Sequence, residues 1–234
     1  MGEGGTMRVL DLFVGLGGWS AAFKDRGHSV TTLDIEPKFK PDICADILSI
    51  DSISKLGTFD IILASPPCQA FSKAAGNTNF DTAEDTRQLY PKKKASVRSV
   101  AIARHTIYLL YASDARFFVI ENPMGLLRRI IGRPQAEIAQ CAYGLDYKKP
   151  TDLWGRLPPS FAAQVCPDRN QSLLYGRKRC SHVKRHHTWN NSLANRDDIL
   201  WGVHTKMGAA RRAVIPYALS LAMCEAAERD LDQR

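Results

Sequence analysis

The stretch Arg8-Val9-Leu10-Asp11-Leu12-Phe13-Val14-Gly15-Leu16-Gly17-Gly18-Trp19-Ser20 decides how this chain is read. Its first six residues form a short, largely apolar run, as in a strand buried on both faces. The run breaks at Gly15, and Gly17 and Gly18 follow at once. Glycine turns the backbone sharply and lets a ligand approach with no Cβ in the way. Ala21 to Arg26 then has helical spacing, with Gly27 placed as its C-cap. Strand, glycine turn and helix in that order predict the start of an α/β domain.

The alternation continues downstream. Ser29 to Leu33 is β-branched and ends at Asp34, and Phe59 to Ala64 is a third strand stopped by Ser65-Pro66-Pro67. Ser96 to Ala112 is the best long helix, and Arg116 to Ile120 is a strand after it. Strands alternating with helices imply a mostly parallel sheet with helices on both faces. We expect a main domain over 7–155, a small loop-rich region over 156–206, and a C-terminal helix within 207–234 that returns to the main domain. Pro216 must start that helix or kink it.

The 234 residues are 44% hydrophobic, enough to bury a core, so disorder is excluded as the main description. No apolar run approaches the ~18–20 residues of a membrane span. The N-terminus has no secretory layout. Met1 to Thr6 reads as a Gly-rich leader, although it fits the loose myristoylation pattern. Six cysteines, none in a CxxC pair, suit a reducing compartment. With 32 Lys+Arg against 24 Asp+Glu, the net charge of +8 favours a polyanionic partner such as nucleic acid. The charge concentrates at Lys92-Lys93-Lys94 and in the run that begins Arg177-Lys178-Arg179.

Two acids follow the glycine turn. Asp34, at the end of the second strand, can accept hydrogen bonds from both hydroxyls of a ribose. Asp46 could hold an adenine amino group. The spacing Gly15-x-Gly17-x-x-Ser20 is a partial match to the dinucleotide fingerprint, so at this point NAD, flavin and S-adenosylmethionine all remain open.

Further along, two prolines present Cys68 rigidly in Ser65-Pro66-Pro67-Cys68-Gln69, at the carboxyl end of a strand. Glu121-Asn122-Pro123 ends the next strong strand at the same edge, where open α/β sheets bind ligands. A thiol and a carboxylate therefore point toward one crevice shared with the glycine turn.

The set Asp11-x-Phe13-x-Gly15-x-Gly17-Gly18, Pro67-Cys68-Gln69 and Glu121-Asn122-Pro123 resembles the cytosine-5 DNA methyltransferases over about Arg8 to Trp154. The resemblance implies a Rossmann-like S-adenosylmethionine-dependent methyltransferase fold with a small target-recognition insert. It implies that Cys68 adds to carbon 6 of a cytosine flipped out of double-stranded DNA, while Glu121 contacts N3 and the exocyclic amine. Gln69 and Asn122 accompany them. Phe13, Gly15, Gly17, Gly18 and Pro67 would line the cofactor, Asp34 would bind ribose, and Ile35, Asp46 and Ile47 the adenine. The loop from Gln69 to Lys94, with Ser72 and the lysine triplet, would close over DNA.

The chain departs from the family's Gln-x-Arg-x-Arg strand. Lys149-Pro150-Thr151-x-x-Trp154 stands there instead, in the style of small phage members, with Lys149 and Thr151 as substitute contacts. The Gly-Asn-Ser closing motif is also replaced, by Arg211 to Ala218. Only about fifty residues are left for target recognition, which favours a short or relaxed recognition sequence. Within them Cys166, Cys180, His182 and His186 are zinc-competent ligands with non-standard spacing. We expect a monomer in a bacterial or phage-infected cytoplasm; self-protection of phage DNA and partnership with a restriction nuclease would look identical in the sequence. RNA as substrate, or a non-catalytic nucleic-acid-binding module on the same fold, are the alternatives. A dehydrogenase has no need of Pro-Cys-Gln beside Glu-Asn.

Overall fold

The computed structural model describes residues 5–72, 76–84, 88–145, 149–166 and 214–232. In chain order the first half holds β1 (Arg8–Leu12), α1 (Ala21–Asp25), β2 (Ser29–Asp34), β3 (Ile43–Cys44), β4 (Ile61–Ala64), α2 (Gly76–Asn79), β5 (Phe80–Thr82) and β6 (Leu89–Pro91). Then come α3 (Lys94–Tyr111), β7 (Phe117–Pro123), α4 (Arg128–Ile131), β8 (Ala136–Ala139), β9 (Pro150–Arg156) and α5 (Tyr217–Leu231).

Period-two alternation sorts the strand residues into two cores. Ile61 and Leu63 of β4, with Phe117 and Val119 of β7, face α1 and α5 and pack on Phe23, Leu219 and Met223. Ile62 and Ala64, with Phe118 and Ile120, face α3 and pack on Leu109 and Leu110. Both sets are almost wholly buried. That two-sided burial is why β1, β4 and β7 read as continuous apolar runs.

The seven strands lie in the order β3-β2-β1-β4-β7-β9-β8. Pairing is parallel from β3 through β7, and β9 runs antiparallel to both β7 and β8. The sheet is thus the mostly parallel one that the sequence implied, with helices on both faces. Helical crossovers, however, are fewer than the alternation suggested. Between β2 and β4 the chain uses three short 3-10 turns in place of helices. Two of these are capped by side chains: Asp46 accepts from the Leu48 N–H (3.1 Å) and Ser52 from the Ser54 N–H (3.2 Å).

The expectation of one loop from Gln69 to Lys94 needs correcting. Its described parts hold a 3-10 turn, α2 and the antiparallel pair β5–β6. Lys93 is the N-cap of α3 and Lys94 its first residue, because Ser96, Ile102, Ala103 and Thr106 give the helix its buried side from the first turn on. β7 also runs three residues past the expected Ile120, since β9 pairs with it from Phe118 to Pro123.

Pro216 directly precedes α5, so it starts the helix and does not kink it. The Ser220 hydroxyl accepts from the Ala22 N–H (3.1 Å) in the open first turn of α1 and donates to Trp19 O (2.5 Å). Arg26 grips Glu228 of α5 through two bonds of 2.7 and 2.8 Å, and His28 adds a third contact at 3.0 Å. Gly18 completes this junction. A Cβ on it would stand 2.7 Å from Ile215 O and 2.8 Å from Ile215 N, so backbone would have to move. Gly18→Ala is therefore expected to cost about 1–3 kcal/mol, as overpacking does. Urea unfolding at fixed pH measures it, and an unchanged midpoint would show that the junction yields freely.

Candidate active site

From β1 the chain first moves outward to β2 and β3, then returns to lay β4 on the other side of β1. The order reverses between β1 and β4, and open α/β sheets bind ligands at such a switch point, beyond the carboxyl ends of the strands. The glycine turn leaves β1 there, and the Pro66-Pro67-Cys68 turn leaves β4.

Cys68 is half-buried and precedes the 3-10 turn Gln69–Phe71, its carbonyl accepting from the Phe71 N–H at 3.0 Å. Gln69 is exposed and Pro67 half-buried. Glu121 lies on the neighbouring β7, 3% exposed. Asn122, also buried, donates its side-chain amide to Pro66 O at 2.9 Å. The next loop adds a second tie, Leu126 N–H to Phe71 O at 2.8 Å. Gly125 makes this approach feasible, since a Cβ there would meet Phe71 O at 2.4 Å. The thiol turn and the acid strand are thus one hydrogen-bonded unit.

Burial pushes the Glu121 carboxyl above the ordinary glutamate range, opposed chiefly by the charge of Lys149. Gln140 donates to Glu121 Oε1 (3.0 Å) and to Thr151 Oγ1 (3.1 Å). Thr151 is wholly buried, and Lys149 is half-buried. On the same sheet edge the half-buried Arg128 holds the buried Asp152 through two hydrogen bonds and reaches Glu137 at 2.9 Å. Reading the sequence missed Gln140, Arg128 and Asp152, because only the folded sheet brings Gln140 to Glu121 and Arg128 to Asp152.

At the glycine turn, Phe13 has φ +65°, a left-handed conformation uncommon for a bulky residue. The Phe13 and Val14 N–H groups hold it by both donating to Leu33 O, at 2.8 and 3.1 Å. Asp34 accepts from the N–H groups of Gly15 (3.0 Å) and Glu36 (2.9 Å), one on each oxygen. That orients the carboxylate and leaves lone pairs for hydroxyl donors. No atom lies within 4 Å of a Cβ built on Gly17, and Ile35 is 53% exposed. A room-giving turn, an oriented acid and an exposed aliphatic side chain fit a nucleoside. Ile47 is buried, and Asp46 is bound by Arg98 at 2.6 Å, a bond that holds its carboxyl below the usual range. A cavity of about 310 Å³ opens beside the same turn, lined by Gly15, Gly17, Lys24, Lys38, Phe39 and their neighbours, with none of these acids in its wall.

The other candidates are scattered. Ser72 and Lys92, Lys93 and Lys94 are exposed, and Lys92 pairs with Asp81 at 2.6 Å. Arg177, Lys178 and Arg179 lie outside the described residues, as do Cys180, His182 and His186 of the zinc set. Cys166 is buried against Ala139 and Cys141. Among the described residues, His28, Cys224 and Glu228 bring ligand atoms within 4.8 Å of one another, but Arg26 already occupies Glu228. No described helix is long and apolar enough to cross a membrane.

Residues 7–149 match the sequence profile of the C-5 cytosine-specific DNA methylases. The chain belongs to that family. This methylase is 30% identical over 184 residues to a probable DNA (cytosine-5)-methyltransferase of Frog virus 3 (isolate Goorha), covering 74% of this chain and 84% of the viral protein. It is 27% identical to the orphan methyltransferase M.SPRI of Bacillus phage SPR, over 64% of this chain but only 34% of the phage protein. Among solved structures, the Entamoeba histolytica methyltransferase EhMeth aligns with TM-score 0.46 and 16% identity, over 69% of this chain and 56% of that one.

One acid in the strand before the methylase's glycine turn carries a measurable consequence. Asp11 is buried in β1, takes a 2.6 Å bond from Ser20 Oγ, and leaves its Oδ1 without a partner. Burial pushes its pKa from 3.8 up to about 7. A carboxyl raised on folding binds a proton as the chain folds, so stability is full below the unfolded pKa and falls as pH rises through the folded one. Relative to Asp11→Asn, the parent protein is expected to lose about 4 kcal/mol between pH 4 and 7 or just above. Parallel unfolding curves of the two proteins across that range would refute this.

Proposed function

We propose that this methylase transfers a methyl group from S-adenosylmethionine to carbon 5 of a cytosine turned out of double-stranded DNA, through a covalent bond from Cys68. The tie between the Asn122 amide and Pro66 O carries the reading, because it couples the thiol's turn to the acid's strand. Gly15, Gly17 and Gly18 form the turn that admits the cofactor, with Asp34 on its ribose and Ile35, Asp46 and Ile47 toward its adenine. Phe13 and Pro67 complete that lining. The cofactor, when bound, supplies an electrophilic methyl group.

The chain's own residues make carbon 5 reactive. The Cys68 thiolate forms a sulfur–carbon 6 bond, the ring's π electrons shift toward carbon 5, and Glu121 gives a proton to N3. An acid whose pKa is raised by burial keeps that proton at higher pH than an exposed glutamate would. Once carbon 5 carries the methyl group, a base removes its proton, the sulfur–carbon bond breaks and the thiolate returns. Lys149, held near Glu121, offers positive charge to the base or its phosphate.

Ser72 and Lys92 to Lys94 line the DNA side, together with Arg177 to Arg179. Residues 156–206 serve as the target-recognition region, with Cys166, Cys180, His182 and His186 as candidate zinc ligands. Residues 207–234 return to the catalytic domain of 7–155. In this reading the protein acts as a monomer in the cytoplasm of a bacterial or phage-infected cell.

Labelled methyl transfer to DNA and to RNA, with Cys68→Ala beside the parent, tests the proposal. Transfer to DNA as 5-methylcytosine is expected, with loss to background in the variant. DNA carrying 5-fluorocytosine should trap a denaturation-stable adduct, since fluorine replaces the proton that elimination needs. Transfer that survives in Cys68→Ala overturns the covalent step, and label in RNA alone overturns the substrate. Cofactor binding with no transfer to either would identify a binding module.

A further inference from the structure

Gln140 follows β8 as the first residue of a 3-10 turn, Gln140–Tyr143, and is fully buried. Its backbone N–H donates to Lys149 O at 3.0 Å. Its side chain lies between Glu121 Oε1 and Thr151 Oγ1. The NH2 group faces both acceptors, Glu121 Oε1 and Thr151 Oγ1, and Thr151 Oγ donates onward to Lys149 O (3.3 Å). Both hydrogens are then engaged, and Gln140 Oε1 is buried with no hydrogen-bond partner. An apolar side chain of similar shape would fill this place without that cost.

The strand beside Glu121 heightens the point. β9 has no arginine before Arg156, so the donors that a Gln-x-Arg-x-Arg strand would offer are missing from Pro150 to Gly155. We propose that Gln140 is a positioning residue for Glu121, its amide locking the carboxyl so that Oε1 stays an acceptor and the proton bound for cytosine N3 rides on Oε2. The inference rests on the proposed cytosine chemistry. The proton passes from Oε2 to N3 as the Cys68 sulfur–carbon 6 bond forms, and it returns to Oε2 when that bond breaks. In between, the charge of Lys149 and the Gln140 N–H together hold the carboxylate. The charged groups facing Glu121 are Lys149, which favours the ionised form, and Asp152, which opposes it and is itself paired with Arg128.

Gln140→Leu and Thr151→Val test this, the second loosening Gln140 without touching Glu121. The first readout is infrared titration of the Glu121 carboxyl, assigned by its loss in Glu121→Gln. The second is single-turnover methyl transfer against pH. In Gln140→Leu the Glu121 midpoint is expected to rise, and to rise less in Thr151→Val, because the bond removed favours the ionised form. Transfer should fall about ten- to hundredfold in Gln140→Leu, with the KM for DNA and the cofactor affinity within about twofold. An unmoved midpoint in folded Gln140→Leu overturns the proposal. So does an equal rate loss at every pH with the DNA KM rising in step. If Gln140→Leu fails to fold, Thr151→Val decides by the same midpoint. If the parent protein transfers no methyl group, the proposed function falls, while the infrared midpoint still judges the coupling of Gln140 to Glu121.

Discussion

The Asn122 side chain reaches across from β7 to Pro66 O, and much of the candidate site depends on that hydrogen bond. β4 and β7 are already neighbours through parallel pairing from Ile61–Phe117 to Ala64–Ile120, which fixes where both strands end. Strand pairing alone would leave the turns beyond those ends free to splay. The Asn122 bond, reinforced by Leu126 N–H on Phe71 O, converts two loops into one rigid edge. A buried amide donor satisfied by a carbonyl is strong in such surroundings because water is not there to compete. Two proline rings stiffen the loop from the other side.

Around this edge Glu121, Gln140 and Thr151 form a buried chain, and alongside it the half-buried Arg128 pairs with the wholly buried carboxylate of Asp152. Such a pair contributes less to stability than its contacts suggest, since the carboxylate loses its water. Its effect here is geometric. Asp152 lies opposite Asn122 in the β7–β9 ladder, so anchoring it to Arg128 of α4 sets the register of β9 against the acid strand.

The main sheet was legible because β1, β4 and the first four residues of β7 are largely apolar, β2 is β-branched from Val30 to Thr32, and α3 is long enough for its periodicity to show. Their ends were less legible. β7 continues through Glu121, Asn122 and Pro123, polar or turn-forming residues that a strand admits only when a partner such as β9 pairs with them. β8, and β5 with β6, are too short to show a period at all. Cys68, Glu121 and Asp34 stood out because each ends a recognisable strand. Gln140 did not, since nothing local marks it and its partners are 11 and 19 residues away. Asp11 looked like part of a glycine motif, whereas its burial pushes its carboxyl well above the ordinary aspartate range. Arg98 was hidden in the same way. It sits on a helix that reads only as amphipathic, yet it holds Asp46 across 52 positions of chain.

The junction between the glycine turn and α5 joins residues about two hundred positions apart in sequence, as the Ser220 bonds to Ala22 and Trp19 record. A ribosome releases the glycine turn about two hundred residues before Ser220. Until then the open first turn of α1 has no Ser220 hydroxyl to accept the Ala22 N–H, and Gly18 has no Ile215 backbone against it. Long-range closures of this kind come late, because the chain entropy of a large loop must be overcome before the contact forms. A nascent or truncated chain ending short of α5 therefore lacks the contacts that close the glycine turn and the first turn of α1, which form only when both ends of the described chain are present.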